Sequence, residues 1–461
     1  MENTDKKNWN IALNFVVEMK NEFINNFGSE NLYDYKYKQD DYINDFNKEE
    51  YDYIYSSCVY YWASKIKKDL DNNKYYNVIR FLKVTEYNDL ILLRYRSYAE
   101  ISGILNEDKE SEDEIVRLSL DELWGMYDGI YKECRSVVIN FIKEELALTP
   151  FRKFFNLNEV DEAKEDIIRK RIEKAESVEI SDKMDGSMQS ARYYDGKIVM
   201  SGSMALDRDF SWRLNDGYNF FNADKKYFMM CYENPDLTFI FEFISLDDAH
   251  VVDYNSIDEG LYLIGGRNVN TGDELSYKEV ISFAEKYDIP VTKVLSTTFD
   301  DILNNLDEKK SNEAEGFVIN IDGYKVKIKY NDYVSVHRIL NDISSPNLII
   351  ESIADNKYED LLSKVPSIHR YRIYNVSDIV FEYIEKMDSA VDDYLKKYYN
   401  NDVKTFMIAV DKNVPSYLKG FVKLKYKKID CNYLKNERTK RYMKLNDIEE
   451  RLDKLYNLSI F

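Results

Sequence analysis

Lys183 stands two residues before an Asp-Gly-Ser turn in the stretch SDKMDGSMQS (181–190), between two runs that read as short strands. A lysine presented at a strand end or tight turn is placed to act as a nucleophile or a phosphate ligand. The pattern K-x-D-G is cheap by itself, expected about 0.1 to 0.2 times by chance in a chain of this composition. Further clusters follow in order. FEFISLDD puts Glu242 in mid-strand between aromatic residues, and AEGFVINIDGYKVKIKY supplies Glu315 and then Lys325, Lys327 and Lys329 on alternating positions. Taken singly, these are an outward strand residue, a turn residue and a solvated lysine face. Taken together, they form a set that can act on phosphorus. A lysine amine attacks a phosphorus atom only when neutral, and with a pKa near 10.4 only about 1 in 2,500 is neutral at pH 7. Neighbouring cations and desolvation relieve that deficit, and Lys327 and Lys329 would supply the positive potential while binding phosphate oxygens. Glu242 and Glu315 suit a hard, oxygen-seeking cation such as Mg²⁺.

The elements that must position these residues are legible from periodicity. Residues 1 to about 80 are helical in pattern, rich in Tyr and acids. From LILLRYRSY onward the period shortens, and strand-like pieces recur: RSVVINF, SVEISDK, SARYYDGKIVMSG, LTFIFEFISL, LYLIGGRNV and EGFVINIDGYKVKIKY. YYDGKIV and INIDGYKVKI each place Asp-Gly between alternating strands, a hairpin signal. After ILNDISSPNLI the pattern is helical to Phe461, apart from NVPSYLKGF, where Pro415 and Gly420 punctuate it. The expectation is an α+β chain in three parts: an acidic helical N-terminal extension (1–80), a mainly antiparallel domain (81–340) and a helical, basic C-terminal domain (341–461).

Bulk composition bounds the rest. A chain of 461 residues with 44% hydrophobic and 32% charged residues can bury more than one core. The N-terminus lacks a signal-peptide apolar stretch, no run of 18 apolar residues occurs, and Cys58, Cys134, Cys231 and Cys431 are widely spaced. The expected setting is therefore the cytoplasm, with reduced thiols and no membrane. The abundance of Asn, Ile, Lys and Tyr points to an AT-rich genome, a clue to source and not to chemistry. The formal net charge of −20 argues against indiscriminate nucleic-acid binding. Its distribution is uneven. Acid concentrates in KQDDYINDFNKEEYDYIY and NEDKESEDEIV, whereas residues 404–444 carry 12 Lys/Arg against 3 Asp/Glu.

In this order, the motifs resemble those of covalent nucleotidyltransferases. ECRSVVINF, RKFFNLNE, KMDGS, FEFIS, EGFVI and KIKYNDYVSVH are similar to RNA ligase 1, the T-even phage type of ATP-dependent RNA ligase, over roughly residues 85 to 340. The resemblance implies an antiparallel-sheet nucleotidyltransferase (ATP-grasp-like ligase) domain with ATP and Mg²⁺. It implies that Lys183 becomes a lysyl-AMP, that Asp185 serves later steps, and that Arg135 and Lys153 hold the ATP phosphates. Phe155 would lie against the nucleoside, Gly186 and Gly316 would allow close backbone approach to it, and Lys327, Lys329 and Tyr333 match essential positions. The implied partner is RNA with a break, a tRNA anticodon loop above all. The chain departs from the family at Ser201, where relatives carry lysine, and at Ser136, where glycine is usual.

A strict two-residue hairpin at Asp322-Gly323 would set Glu315 opposite Tyr330, on the other face from Lys327 and Lys329. A bulge or a three-residue loop is therefore expected there. The helical, basic C-terminal domain (341–461) is the expected RNA-binding domain; within it YLKGFVKLKYKK interleaves aromatics with lysines and could stack on unpaired bases, or be a solvated helical face. DNA ligases and capping guanylyltransferases share the K-x-D-G core but require an OB-fold of short strands after residue 345, where the pattern is helical. A catalytically silent RNA-binding protein with this fold is the third alternative. The N-terminal 80 residues fit a module for a protein partner, a shield over basic surface, or structural padding.

Overall fold

The computed structural model describes residues 9–37, 57–66, 73–107, 118–248, 251–255, 258–342, 346–365, 369–429 and 431–434. The acidic run 38–55 lies outside them, as does most of 106–116 and the end of the basic run, 435–444. The chain forms two compact units, one of Met1–Glu308 with Glu313–Tyr330, the other of Lys309–Asn312 with Asn331–Phe461.

Three four-stranded sheets build the first unit. The first is the antiparallel meander of β1 (Leu82–Tyr87), β2 (Leu90–Tyr95), β3 (Arg135–Asn140) and β4 (Glu145–Leu148). The second joins β5 (Phe155–Asn156), β12 (Tyr324–Lys329), β11 (Gly316–Ile321) and β6 (Val178–Lys183) in that order, with only β5 parallel to its neighbour. The third has the order β10 (Gly260–Asn268), β9 (Leu237–Ile244), β7 (Ser187–Tyr194), β8 (Lys197–Gly202). The mainly antiparallel α+β architecture expected from the strand pattern is thus present, with helical regions before and after it.

The third sheet shows how alternation divides labour. Phe239, Phe241 and Phe243 point to one face, where they pack with Ala191, Leu261 and Leu263 against helices Trp212–Ala223, Lys225–Glu233 and Tyr277–Tyr287. Glu242 stands between the phenylalanines and therefore points the other way. Both Asp-Gly pairs form two-residue turns with positive φ at each residue, 53° and 78° at Asp195-Gly196 and 48° and 90° at Asp322-Gly323. That conformation matches the strand twist and makes these dipeptides good hairpin turns.

The segment after helix Tyr277–Tyr287 stitches the second and third sheets together. Leu263 N donates to Pro290 O at 2.7 Å, Asp182 N to Lys293 O at 2.9 Å, and Leu295 N to Ile180 O at 2.9 Å. The described N-terminal helices belong to this same unit. Trp9 Nε1 donates to Val269 O at 2.8 Å, Lys20 pairs with Glu144 at 2.8 Å, and the Trp62 ring packs edge-on to Phe141.

The second unit is helical throughout its described residues. Its centre is helix Arg370–Tyr398, whose Ile373, Val376, Val380, Tyr383, Met387 and Val391 recur at helical spacing and are buried. No helix among the described residues is long and apolar enough to cross a membrane.

Candidate active site

β6, β11 and β12 bring Lys183, Gly316 and Lys329 together at one edge of the second sheet. Gly316 opens β11 and is paired with Lys183 on one side and Lys329 on the other. Since side chains alternate, Lys183, Ser181 and Glu179 share a face with Lys329, Lys327 and Lys325. That face and the Glu242 face of the third sheet line one cleft, together with Arg135, Phe151, Phe154, Met184 and Met188.

Glu315 joins two of the lysines. Its carboxylate accepts from Lys183 Nζ at 2.6 Å and from Lys329 Nζ at 2.8 Å, and it is only 3% exposed. The route by which it reaches them corrects the expected bulge. β11 and β12 keep clean two-residue register from Ile321↔Tyr324 to Gly316↔Lys329, and Tyr330 N still bonds Glu315 O at 3.0 Å. Regular alternation would turn Glu315 away. Gly316 interrupts it with φ 154°, a conformation that L-residues rarely adopt, so the side chain before it can swing to the lysine face. A Cβ at Gly316 would lie 2.1 Å from Ile328 O.

Gly186 has a similar role. Its N–H donates to Glu242 Oε1 at 3.1 Å, and a Cβ there would lie 2.6 Å from Phe243 O. Both glycines therefore accommodate the protein's own neighbouring strand, where the expectation was close approach to a nucleotide. Asp185 is held in place by the segment after β9. It accepts from Val251 N at 2.8 Å and Val252 N at 3.1 Å, while its own N–H donates to Tyr254 Oη at 2.8 Å.

Charge is unevenly balanced in the cleft. Burial pushes the Glu242 carboxyl up to about 7, opposed by Lys183 and reinforced by Glu315. Burial also drives the Lys327 amine well below the ordinary lysine range, helped by Arg135, Lys153 and Lys183. Lys327 Nζ and the Arg135 guanidinium each lie 4.9 Å from the centre of the Phe154 ring. Arg135 Nη1 is buried without a hydrogen-bond partner among the described residues. A phosphate oxygen would satisfy that donor, so the cation-rich end suits a nucleotide triphosphate.

Glu242 and Glu315 are two hard oxygen donors, and no group of three or more His, Cys, Asp or Glu that could hold a metal occurs among the described residues. Two carboxylates fit Mg²⁺, which keeps several waters and shares phosphate oxygens rather than taking a protein cage. Glu242 is the more available of the pair, since each Glu315 oxygen already serves a lysine.

Three expected residues are not among those lining the cleft. Phe155 is 1% exposed, packed on Trp124 at 5.7 Å. β5 pairs it with buried Val326, and the neighbouring Phe154 takes the cleft position that had been expected for it. The sequence FF carried both options, and pairing with the apolar row of β12 selects between them. Lys153 is enclosed by Tyr95, Trp124 and Phe155, with Nζ 5.7, 5.1 and 5.2 Å from the ring centres. Tyr333 belongs to the second unit, buried and stacked on His337.

The two departures also resolve. Ser136 has φ 69° and sits at the register shift between β2 and β3, a backbone position that favours glycine. Its Oγ donates to Ser203 O at 2.6 Å. Ser201 is buried opposite Ser190 and brings no charge to the cleft.

A lysine at a strand end, ion-paired to a glutamate that a second lysine shares, with further cations behind it, is the grouping that the resemblance to covalent nucleotidyltransferases implies. Residues 133–333 match the RNA ligase family model, which bears out the resemblance read from the motifs. Solved structures show a fainter likeness. An RNA ligase of Naegleria gruberi with pyrophosphate is 19% identical, covering 38% of this chain and 55% of that one with a TM-score of 0.32. A mutant of that ligase with ATP and manganese is 18% identical over 36% and 53%, TM-score 0.31. An archaeal ATP-dependent RNA ligase is 16% identical over 56% and 70%, TM-score 0.36. The chain thus spans about half the length of the Naegleria structures it matches.

Proposed function

We propose that this protein is an ATP-dependent RNA ligase that joins 5′-phosphate and 3′-hydroxyl ends through a lysyl-AMP and an RNA-adenylate. The observation that carries the reading is the placement of Lys183, Lys329, Lys327, Arg135 and Glu242 in one cleft, within the segment that matches the RNA ligase family.

In the first step Lys183 Nζ, having left Glu315 and lost a proton, forms a bond to the α-phosphorus of ATP as the bond to pyrophosphate breaks. Lys327, Lys329 and Arg135 offset the charge that gathers on the phosphate oxygens. In the second, an oxygen of the RNA 5′-phosphate displaces the lysine, which regains its proton. In the third, the 3′-hydroxyl oxygen bonds to that 5′-phosphorus as the bond from it to AMP breaks, and the hydroxyl proton passes to solvent. A magnesium ion, when bound, neutralises phosphate charge and stabilises the leaving pyrophosphate. Glu242 would hold it, with Glu315 joining once the lysines release it. Asp185 fixes the turn after Lys183 through its bonds to Val251 and Val252.

The helical second unit favours this reading over a DNA ligase or capping enzyme, since its described residues include no strand of the OB-fold those enzymes require. A broken structured RNA such as a tRNA is the substrate the family resemblance implies, and a cytoplasmic setting accords with it. The decisive experiment is incubation with α-labelled ATP and Mg²⁺ followed by a denaturing gel. Label on the wild type and none on Lys183→Ala supports the proposal. Label from GTP alone would favour a capping enzyme, and no label from either nucleotide would leave a silent fold.

A further inference from the structure

Near the C-terminal end of β10, Arg267 is only 6% exposed, and its guanidinium makes a two-pronged ion pair with Glu133 at 2.9 and 3.3 Å. The same side chain donates to Pro150 O at 3.3 Å and to Gly272 O at 2.9 Å. Glu133 stands two residues before Arg135, and it also pairs with Arg152 Nε at 3.3 Å. Residues 149–152 thus run as a strap over β9 and β10, where Arg267 is paired with Thr238. Thr149 N donates to Thr238 Oγ1 at 3.0 Å, Pro150 is held by Arg267, and the Phe151 ring occupies the space that a Cβ at Gly265 would fill. Lys153 N then donates to Lys132 O at 2.8 Å, which closes the strap on the segment that carries Glu133.

Both tethered segments lead into the cleft, which Arg135, Phe151 and Phe154 help to line. The Arg135 guanidinium lies 4.9 Å from the Phe154 ring centre, with its buried Nη1 unpaired among the described residues. A donor kept open for a ligand must be held in place by groups other than that ligand. The Glu133–Arg267 pair is placed to do so, since one partner is two residues from Arg135 and the other grips the carbonyl just before Phe151. A buried ion pair adds little stability over apolar residues of the same shape, but a two-pronged one fixes the spacing of the chain segments it joins. Trp9 covers it. Its ring lies 4.6 Å from the Arg267 guanidinium, its Nε1 donates to Val269 O at 2.8 Å, and a Cβ at Gly272 would lie 2.6 Å from the ring.

Resting on the reading of the cleft as an ATP site, we infer that Arg267 and Glu133 are positioning residues that hold Arg135 and Phe154 at the spacing the triphosphate requires. Trp9 makes the N-terminal segment part of that support. Neither member of the pair touches substrate. Its loss lets Arg135 and Phe154 shift, so ATP is held less tightly, while Lys183 and Lys329 keep the geometry that Glu315 gives them.

The test is calorimetric titration of the full chain with α,β-methylene-ATP and Mg²⁺, an analogue whose α–β bridge does not break, so binding is read without the chemistry. Arg267→Lys keeps the charge but not the two-pronged geometry and should weaken analogue binding about 10- to 100-fold. Glu133→Leu with Arg267→Met replaces the pair by apolar residues. It should melt near the wild-type temperature and still show that loss, which a merely structural pair would not. Trp9→Ala should weaken binding about 2- to 10-fold, and Trp9→Phe, which keeps a ring over the guanidinium, should recover most of it. In labelling with ATP, the half-saturating concentration should rise by the same factors while the rate at saturation stays within about threefold, as loss of ground-state binding predicts. Unfolded material would instead lower the amount labelled and leave half-saturation where it was. Wild-type analogue affinity in folded Arg267→Lys or in the double variant would overturn the inference, as would a wild type that binds no analogue. Should both variants fail to fold, wild-type affinity in Trp9→Ala would overturn it. A wild type that forms no lysyl-AMP, yet binds the analogue with the expected response to these variants, would overturn the ligase reading and leave the positioning intact.

Discussion

The chain sets three lysines at every second position twice, as Lys325, Lys327 and Lys329 in β12 and as Lys423, Lys425 and Lys427 at the end of helix Lys419–Tyr426, and the two segments reach opposite ends. On the strand, a period of two sends Lys325, Lys327 and Lys329 to one face. Lys325 pairs with Glu274 and Lys329 with Glu315, while Lys327 lies over Phe154 beside Arg135 with no carboxylate at ion-pair distance among the described residues. On the helix, neighbours two apart diverge. Lys423 turns to Asp411 at 2.5 Å, and Lys425 to Asp388 and Asp392, both at 2.7 Å. The aromatics between them are also engaged, with Phe421 buried and Tyr426 stacked 3.9 Å from Phe406. One spacing gathers charge for a ligand, and the other disperses it into intramolecular pairs. Within YLKGFVKLKYKK, Lys427 and Lys428 are exposed, whereas Lys423 and Lys425 are held in intramolecular pairs.

The contrast can be broken or sharpened by substitution. The largest effect is expected on the strand. Lys329→Ala should slow lysyl-AMP formation by about 100-fold or more, as loss of one transition-state donor does, measured by single-turnover labelling. Gly316→Ala should destabilise the first unit by roughly 3 kcal/mol, since the new methyl meets Ile328 O in a backbone conformation unsuited to alanine. Denaturant titration reads this directly.

Glu242→Gln tests the same face through pH. With the folded carboxyl pushed up to about 7, the folded state holds a proton that the unfolded chain has released above about 4.5. Wild-type stability contributed by this group therefore falls as pH rises from about 4.5 to 7 and is flat beyond it. The glutamine variant should match the wild type at pH 4 and exceed it at pH 8 by roughly 1–3 kcal/mol in metal-free buffer, and an equal difference at both values would refute the assignment. The smallest effect belongs to the helix. Lys423→Ala with Lys425→Ala should cost about 1 kcal/mol or less and leave RNA affinity nearly unchanged by filter binding. A large loss of affinity would show that these lysines exchange their carboxylates for phosphate.

Strand alternation and short motifs made most of the first unit's site readable before its structure. Lys183 was legible from its K-x-D-G motif, and Glu242, Lys327 and Lys329 because a period of two fixes a side chain's face once one neighbour is known to be buried. Glu315 was legible as a residue but not as a geometry, because parity alone turned it away and only the backbone at Gly316 turns it back. Phe154 and Phe155 were separable only through the partner strand, a non-local fact. Helical charges such as Lys423 and Lys425 hid their partners on other helices, which no local period reveals.

The ion pair between Lys183 and Glu315 also bears on chemical modification. An amine that donates to a buried carboxylate at 2.6 Å is sheltered from acylating and carbonyl reagents. In a chain with many exposed lysines, the residue proposed to form the covalent bond should be among the slowest to react with a general probe. Speed at Lys183 would then be a property of the right electrophile alone.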